Sequence, residues 1–373
     1  MKNTQGHPSA PASRTNFDAL TLDEAKLVDE IISDLRKAVR DASLRFGTRI
    51  VRHGGKILRG RRVGMKGFEE RLYGRWAIPL DLYELCLYIA LNCGRYFSRH
   101  FRPGSATITD HKFKALLRLH AGATRVAGEV YALLLAGFPS GAHARWRTLH
   151  EIAVTALFIA QEDNETAERY INHRFVKSYE DAREYQKYAF MLGEEPFTDE
   201  EMTRIKQNYE SMLVRYGADF HWPYAWAHPA LLRRDPQLKG NKIGFQHLQA
   251  AVEIQHWTPR HRMASHAVHP SATFARFNLG SREDKHEVLP GASNADLADP
   301  GQSALFSLTN ATAALVIFEP GSDDITEHLQ HRGALGAMAK ALSTLSKIAS
   351  EEFMKVHLQL EDEIRAEGSN ANS

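Results

Sequence analysis

The chain has 373 residues, of which 43% are hydrophobic and 25% are charged, and this composition is ordinary for a globular protein. The length suffices for one large core or two modest domains, which disfavours a disordered or fibrous class. The formal net charge is only +2. The molecule as a whole therefore has no strong electrostatic attraction to nucleic acid or an acidic membrane. Any such attraction must come from a local cluster of charges.

The cysteines and the hydropathy pattern help to predict the cellular compartment of the protein. Cys86 and Cys93 are the two cysteines, and they share a helical face but have no partners for a metal site. Such sparse cysteine is typical of a reduced, cytoplasmic setting. Residues 1–16 are polar, lack the apolar region of a secretory signal and predict a disordered tail. No apolar run is long enough to predict a membrane-spanning segment.

Residues 17–110 are predicted to form an N-terminal helical region. A capping box at Thr21–Glu24 marks a helix start, since its hydroxyl and carboxylate satisfy orphan backbone donors. Apolar residues then recur every three or four positions up to Gly47, which can take the left-handed conformation of a helix end. A second helix is predicted to follow Pro79, because proline fits a first helical position.

Between these helices, residues 48–75 combine many arginines and lysines with repeated glycines, which predicts an irregular basic loop. Within it, Arg59, Arg61 and Arg62 are candidate nucleic-acid-binding residues, because clustered cations release counterions when they contact phosphates. A solvated basic loop without a partner is the alternative interpretation.

The clearest supersecondary signal is a helical hairpin over 112–161. Two apolar stripes with helical spacing flank a break at Gly137–Pro139. Further along, a second capping box at Thr198–Glu201 starts a helix, an aromatic loop covers 218–241, and a buried helix begins at Asp299.

Residues 111–320 therefore predict a helical core domain, followed by a long C-terminal helix at 321–367 and a disordered end at 368–373. No strict alternation of apolar and polar residues lasts more than a few positions, and no internal repeat is visible. The predicted fold class is all-α: a multi-helix bundle built around a central helical hairpin, with a long C-terminal helix.

The second helix of the hairpin carries a first candidate site. On a helical wheel, Arg147, His150 and Glu151 share a sector with apolar Val154 and Phe158, so neighbouring structure is expected to cover them. Arg147 and Glu151 are spaced i,i+4 and can form an ion pair. That pair either orients the helix or belongs to a site in which Glu151 positions an Arg or His from elsewhere.

The segment 258–270 carries a second candidate site. If it is helical, one narrow sector contains Arg262, Ser265, His266 and His269. A guanidinium suits phosphate binding and an imidazole suits proton transfer near neutrality, so these four are the candidate catalytic residues. An ordinary solvated face is the alternative, and the proline that follows His269 disfavours a helical conformation there.

No metal or cofactor is predicted. His266 and His269 form a pair at i,i+3, but no H-E-x-x-H arrangement supplies further zinc ligands. The chain has no G-x-x-x-x-G-K-[ST] phosphate loop, no G-x-G-x-x-G after a strand and no G-x-S-x-G turn, which disfavours the enzyme classes that carry those motifs.

The hairpin and the late histidine segment resemble a bacterial family catalogued as domain of unknown function 5677. The resemblance rests on a helix that ends in Leu-Leu-Leu-Ala-Gly-Phe-Pro, on Arg147-Thr-Leu-His-Glu151, on Arg169-Tyr170 and on Ser265-His-Ala-Val-His269-Pro. It covers about Ala115 to Phe318. This family has no settled activity to transfer.

More distantly, the hairpin resembles the HEPN superfamily, helical domains that often act as metal-independent ribonucleases through an Arg, four to six residues and a His. Several Arg/His pairs match that spacing, but the offset of Arg262 and His269 returns both side chains to one helical face. The resemblance implies that Arg262 holds the scissile phosphate and that His269 or His266 moves the proton of the attacking 2′-hydroxyl. Glu151 or Arg147 would orient them, and a homodimer is implied as well.

Two functional classes therefore stay open. One is a HEPN-like endoribonuclease or RNA-binding protein. The other is a non-enzymatic helical interaction module, such as an accessory of a toxin or phage-defence operon, whose long C-terminal helix supplies a dimer or partner surface. The sequence does not decide whether the protein is an enzyme.

Overall fold

The computed structural model of the protein describes residues 22–101, 110–240, 242–268, 280–281, 288–289, 291–319 and 325–371. The α-helices of these residues are, in chain order, α1 (Leu22–His100), α2 (His111–Leu135), α3 (Pro139–Gln161), α4 (Asn164–Asn172), α5 (Arg174–Leu192), α6 (Asp199–Tyr216), α7 (His228–Arg234), α8 (Phe245–Ala251), α9 (Thr258–Ser265), α10 (Ala298–Ile317) and α11 (Ile325–Ala371). Short 3-10 helices occupy Ala218–His221, Pro236–Leu238 and Gln255–Trp257. Two-residue strands, β1 (Gly280–Ser281) and β2 (Val288–Leu289), pair antiparallel. The predicted all-α class and long C-terminal helix are confirmed.

Helix α1 overturns two predictions. It spans Leu22–His100, so the predicted irregular loop at 48–75 and the separate helix after Pro79 are wrong. Each helical glycine costs roughly 0.5–1 kcal/mol relative to alanine, but here the glycines alternate with good helix formers such as Arg, Lys and Leu. None of the glycines at 48–75 has a positive φ. Thr21, on which the predicted capping box depends, lies outside the described residues, as do residues 1–16 and the predicted break at 102–109.

The chain divides into two units, Met1–Phe68 and Glu69–Ser373. In the described part of the first unit, α1 exposes almost every side chain. At 100° per residue, its exposed residues form two stripes. We call the first the basic face, and it consists of Arg45, Arg49, Arg52, Lys56 and Arg59. We call the second the apolar face, and it consists of Ile32, Leu35, Val39, Phe46, Ile50 and Ile57.

In the second unit, the later half of α1 contributes a buried seam to the core. Its members recur every three or four residues and are Leu72, Trp76, Leu80, Tyr83, Cys86, Ala90, Cys93 and Phe97. The Tyr83 hydroxyl donates to the Ala127 carbonyl of α2 at 3.0 Å, so the seam is fixed against the hairpin. Both cysteines of this seam are free thiols.

The predicted hairpin of α2 and α3 is present, and it forms the centre of the second unit. Gly137 takes the left-handed conformation at the turn, with φ of 75°, and Pro139 begins α3. Helix α10 packs against both arms of the hairpin and against α11. The approach of α10 to α11 is close, because a Cβ added at Gly301 would lie 2.7 Å from the ring of Phe353.

The remaining elements refine the predicted boundaries. The capping box before α6 is present, with the Thr198 hydroxyl accepting from the Glu201 backbone N–H. The predicted aromatic loop at 218–241 contains short helical turns in its described residues, and α11 continues to Ala371, beyond the predicted end at 367. None of the described helices combines the length and the apolar character that crossing a membrane requires.

Candidate functional site

Polar side chains from three helices meet beside the hairpin. On α3, His143, Arg147 and Glu151 are spaced i, i+4 and i+8 and therefore share one face. Helix α9 packs against α3 and starts at Thr258-Pro259, where a proline costs no hydrogen bond. It contributes Arg260 and His261, while the first turn of α10 contributes Asp299. We call these six residues the polar stripe: His143, Arg147, Glu151, Arg260, His261 and Asp299.

The carboxylate of Glu151 joins α3 to α9. Its Oε1 lies 3.0 Å from Nε2 of His261 and 3.1 Å from Nε of Arg147. Burial alone would raise the pKa of Glu151, but the hydrogen bond from His261 and the charge of Arg147 outweigh it, so the pKa is lowered. Glu151 is 38% exposed and Arg147 is 30% exposed. The charged pair is thus within reach of a ligand from solvent.

The hydrogen bond to Glu151 fixes the state of the His261 ring. Since the carboxylate can only accept, Nε2 of a neutral His261 carries the proton and Nδ1 keeps a lone pair. Arg147 Nε also lies 3.3 Å from this Nε2. Because both nitrogens carry a hydrogen in this tautomer, each donates to Oε1 of Glu151. Nδ1 has no hydrogen-bond partner among the described residues and is not one of their enclosed polar atoms. An imidazole held in this way can accept or deliver a proton at Nδ1.

His150 stays neutral next to this pair. It is fully buried, and burial lowers its pKa to about 3. Its Nδ1–H donates to Ser307 Oγ over 3.3 Å, and its Nε2 accepts from the amide of Gln249 over 3.1 Å. The ring lies 5.7 Å from that of His261 and also contacts Trp257. His150 therefore shapes the wall behind His261 and does not exchange protons near neutrality.

The other end of the polar stripe repeats the same chemistry. Asp299 bonds Nε2 of His143 and the guanidinium of Arg260, each at 2.8 Å. Burial would raise the pKa of Asp299, but the His143 hydrogen bond and nearby positive charge lower it. Arg260 also lies over the ring of Trp257, 5.1 Å from its centroid. The stripe thus contains two imidazole–carboxylate pairs, each completed by an arginine.

The structure describes only part of the predicted segment 258–270. Helix α9 ends at Ser265 and residues 266–268 form a turn, whereas His269 and the proline after it lie outside the described residues. Arg262 is exposed, whereas Ser265 and His266 are half-buried, and Ser265 donates to the backbone carbonyl of His261 at 3.2 Å.

The sequence located part of this site. The Arg147–Glu151 ion pair is present as predicted, but the sequence analysis did not single out His143, Arg260, His261 or Asp299. The spacing of His143 from Arg147 was a readable signal, because both fall on one face of a helix. Tertiary packing decides which side of α9 faces α3. No local pattern in the sequence could therefore show that His261 lies on that side. Within the described residues, no group of three or more His, Cys, Asp or Glu side chains is placed to hold a metal ion.

Comparison with known proteins gives a match to a family model. Residues 113–286 match the model of a family of unknown function, DUF5677. The matched segment runs from α2 past α9 and so includes Arg147, Glu151 and His261, whereas Asp299 lies beyond it. No curated protein and no solved structure matches the chain. Over residues 113–286, the chain is therefore similar to the family of unknown function DUF5677.

Proposed function

We propose that the polar stripe is a metal-independent site for cleaving RNA phosphodiester bonds, of the kind found in HEPN-like ribonucleases. The observation that carries this proposal is the Glu151–His261 hydrogen bond, with Arg147 on the same carboxylate. It combines a proton-transfer group, an anion that orients it and a cation that matches phosphate. Glu151 and Arg147 are partly exposed to solvent, whereas His261 is 8% exposed.

The chemistry follows from the roles of these groups. His261 Nδ1 takes the proton of a ribose 2′-hydroxyl, and the oxygen attacks the adjacent phosphorus. Glu151 stabilises the imidazolium that forms, as a carboxylate does in hydrolytic triads. Arg147 and the exposed Arg262 stabilise the negative charge that builds up on the phosphate oxygens. The phosphorus–5′-oxygen bond then breaks and leaves a 2′,3′-cyclic phosphate.

The departing 5′-oxygen needs a proton, and the proposal assigns its delivery to His266 or His269. His266 directly follows α9, so it lies within two turns of His261 along the chain. Ser265 acts in positioning, since its hydroxyl donates to the carbonyl of His261. A homodimer and a cytoplasmic location belong to the same proposal.

The basic face of α1 supports an RNA-binding role. Its five cations lie at spacings of four, three, four and three residues, which puts them along about 21 Å of one helix face. No acidic residue occurs between Asp41 and Glu69 to neutralise them. A row of this kind binds phosphates with counterion release. Of the predicted contacts, Arg59 belongs to this face and Arg62 borders it, whereas Arg61 projects to the opposite side.

The test is cleavage of a mixed pool of tRNA and single-stranded RNA in EDTA. We expect the wild type to cut, His261→Ala to be slowed by about a hundredfold or more, and Glu151→Gln to be slowed less. His256→Ala is the matched control, because His256 is an exposed histidine five residues away. Circular dichroism must show that all variants fold. Equal cleavage by wild type and His261→Ala would refute the proposal.

A second candidate function is the non-enzymatic interaction module, such as an accessory of a toxin or phage-defence operon. The apolar face of α1 favours it, because Val39 is 63% exposed and Phe46 is 68% exposed. Apolar side chains in a row on a soluble helix mark a contact surface. Under this alternative, substitutions in the polar stripe lower the melting temperature and affect no turnover.

A further inference from the structure

A pocket lies in the 69–373 unit, and it is lined by residues other than those of the polar stripe. It has a volume of about 490 Å³, which falls within the ~300–1,000 Å³ typical of small-molecule sites. Its floor is apolar and aromatic, and it is formed by Leu119, Ile152, Tyr170, Ile171 and Trp226. None of the six residues of the polar stripe lines it.

The rim of this pocket is cationic. Arg118 comes from α2, while Arg174 and Lys177 come from the first turn of α5. Among the residues that the structure describes, no Asp or Glu lines the pocket. Among the described residues, Arg118 and Arg174 have no carboxylate partner, and Lys177 pairs only with the exposed Glu180. Three cations at the edge of an apolar pocket favour an anionic head group on an apolar body.

The Tyr170 hydroxyl adds a polar group to the floor. Its ring packs edge-on against Trp226 with centroids 4.9 Å apart, which fixes its orientation. The hydroxyl has no hydrogen-bond partner among the described residues, and burial raises its pKa. A bound group that accepts a hydrogen bond from this half-buried phenol would therefore be stabilised.

We propose that this pocket binds a small amphipathic organic anion. The aromatic or branched apolar body of the ligand lies against Leu119, Ile152 and Tyr170. Its phosphate or carboxylate lies between Arg118, Arg174 and Lys177. The proposal does not depend on RNA cleavage, because the pocket shares no residue with the polar stripe.

The experiment is isothermal titration calorimetry of the full chain with 1-naphthyl phosphate and with 1-naphthoate. At least one of these anions should bind ten or more times as tightly as 1-naphthol, which lacks the charge, and as inorganic phosphate, which lacks the apolar body. The double variant Arg118→Gln/Arg174→Gln should weaken binding at least tenfold. Arg183→Gln, an exposed arginine of α5 outside the pocket, should leave it unchanged.

A filling variant separates the pocket from a general surface effect. Gly122 lines the pocket, so Gly122→Leu should abolish binding while improving the helix propensity of α2. Binding of neither naphthyl anion would overturn the proposal. So would binding that survives both Gly122→Leu and the double arginine variant, with circular dichroism unchanged.

Discussion

Two buried histidines couple stability to pH at the scale of single residues. Burial lowers the pKa of His150 to about 3 and that of His120 to about 4, from an ordinary value of 6.5. Below pH 6.5 the unfolded chain therefore binds protons that the folded chain does not bind. The part of the free energy of unfolding that depends on these neutral histidines is fully present above pH 6.5 and is lost as the pH falls. From these shifts we expect a loss of about 2 kcal/mol per histidine between pH 7.5 and pH 5.

Urea unfolding at pH 7.5 and pH 5.0 measures this loss. The His120→Asn variant should lose about 2 kcal/mol of the pH dependence, whereas His256→Asn, which changes an exposed histidine, should retain all of it. The carboxyls of Glu151 and Asp299, whose pKa values are lowered, act in the same direction but only at lower pH, below their ordinary values of 4.5 and 3.8. A free energy of unfolding that is the same at both pH values would contradict the burial of both rings.

Single residues also differ in whether their place in the site can be predicted from the sequence. Arg147 and Glu151 could be predicted, because i,i+4 spacing within one helix makes them neighbours whatever the fold. His261 could not, because its meeting with Glu151 joins residues 110 apart through the packing of α9 on α3. The predicted pairing of Arg262 with His269 assumed a helix that in fact ends at Ser265.

At the scale of elements, α1 shows that glycine content alone does not predict a loop. Glycine ends a helix only where the chain needs a positive φ, or where neighbouring residues do not offset its low helix propensity. The positive-φ glycines among the described residues include Gly137 at the hairpin turn and Gly193 at the end of α5, where the sequence also changes its apolar pattern. The hairpin was predictable because an unbroken apolar stripe on each arm surrounds one such turn.

Two glycines of α1 allow the effect of packing on stability to be separated from the effect of helix propensity. A Cβ at Gly94 would lie 2.7 Å from Nδ1 of the buried His120, whereas a Cβ at Gly74 would meet nothing within 4 Å. We expect Gly94→Ala to destabilise the protein by about 1–3 kcal/mol through overpacking. Gly74→Ala should stabilise it by roughly 0.5–1 kcal/mol. Thermal unfolding of both variants checks the pair, and a stabilising Gly94→Ala would show that α1 and α2 are further apart.

At the scale of the whole molecule, the apolar face of α1 predicts self-association. Exposed apolar rows are covered in stable proteins, and a second copy of the same helix offers a matching row. Sedimentation of the full chain should give a homodimer, and Phe46→Glu should raise its dissociation constant at least tenfold. Val51→Glu is the control, since Val51 is 85% exposed but lies outside the apolar face. A wild-type monomer at micromolar concentration would contradict this prediction.

We propose that His261, held by Glu151, transfers the proton of a 2′-hydroxyl. The most direct measurement uses a DNA oligonucleotide that contains a single ribonucleotide, incubated in EDTA and followed by mass spectrometry. We predict cleavage only on the 3′ side of that ribonucleotide, with a 2′,3′-cyclic phosphate and a 5′-hydroxyl as products, and near-complete loss of cleavage in His261→Ala. An intact oligonucleotide, products with a 3′-hydroxyl and a 5′-phosphate, or undiminished cleavage by His261→Ala would contradict the claim.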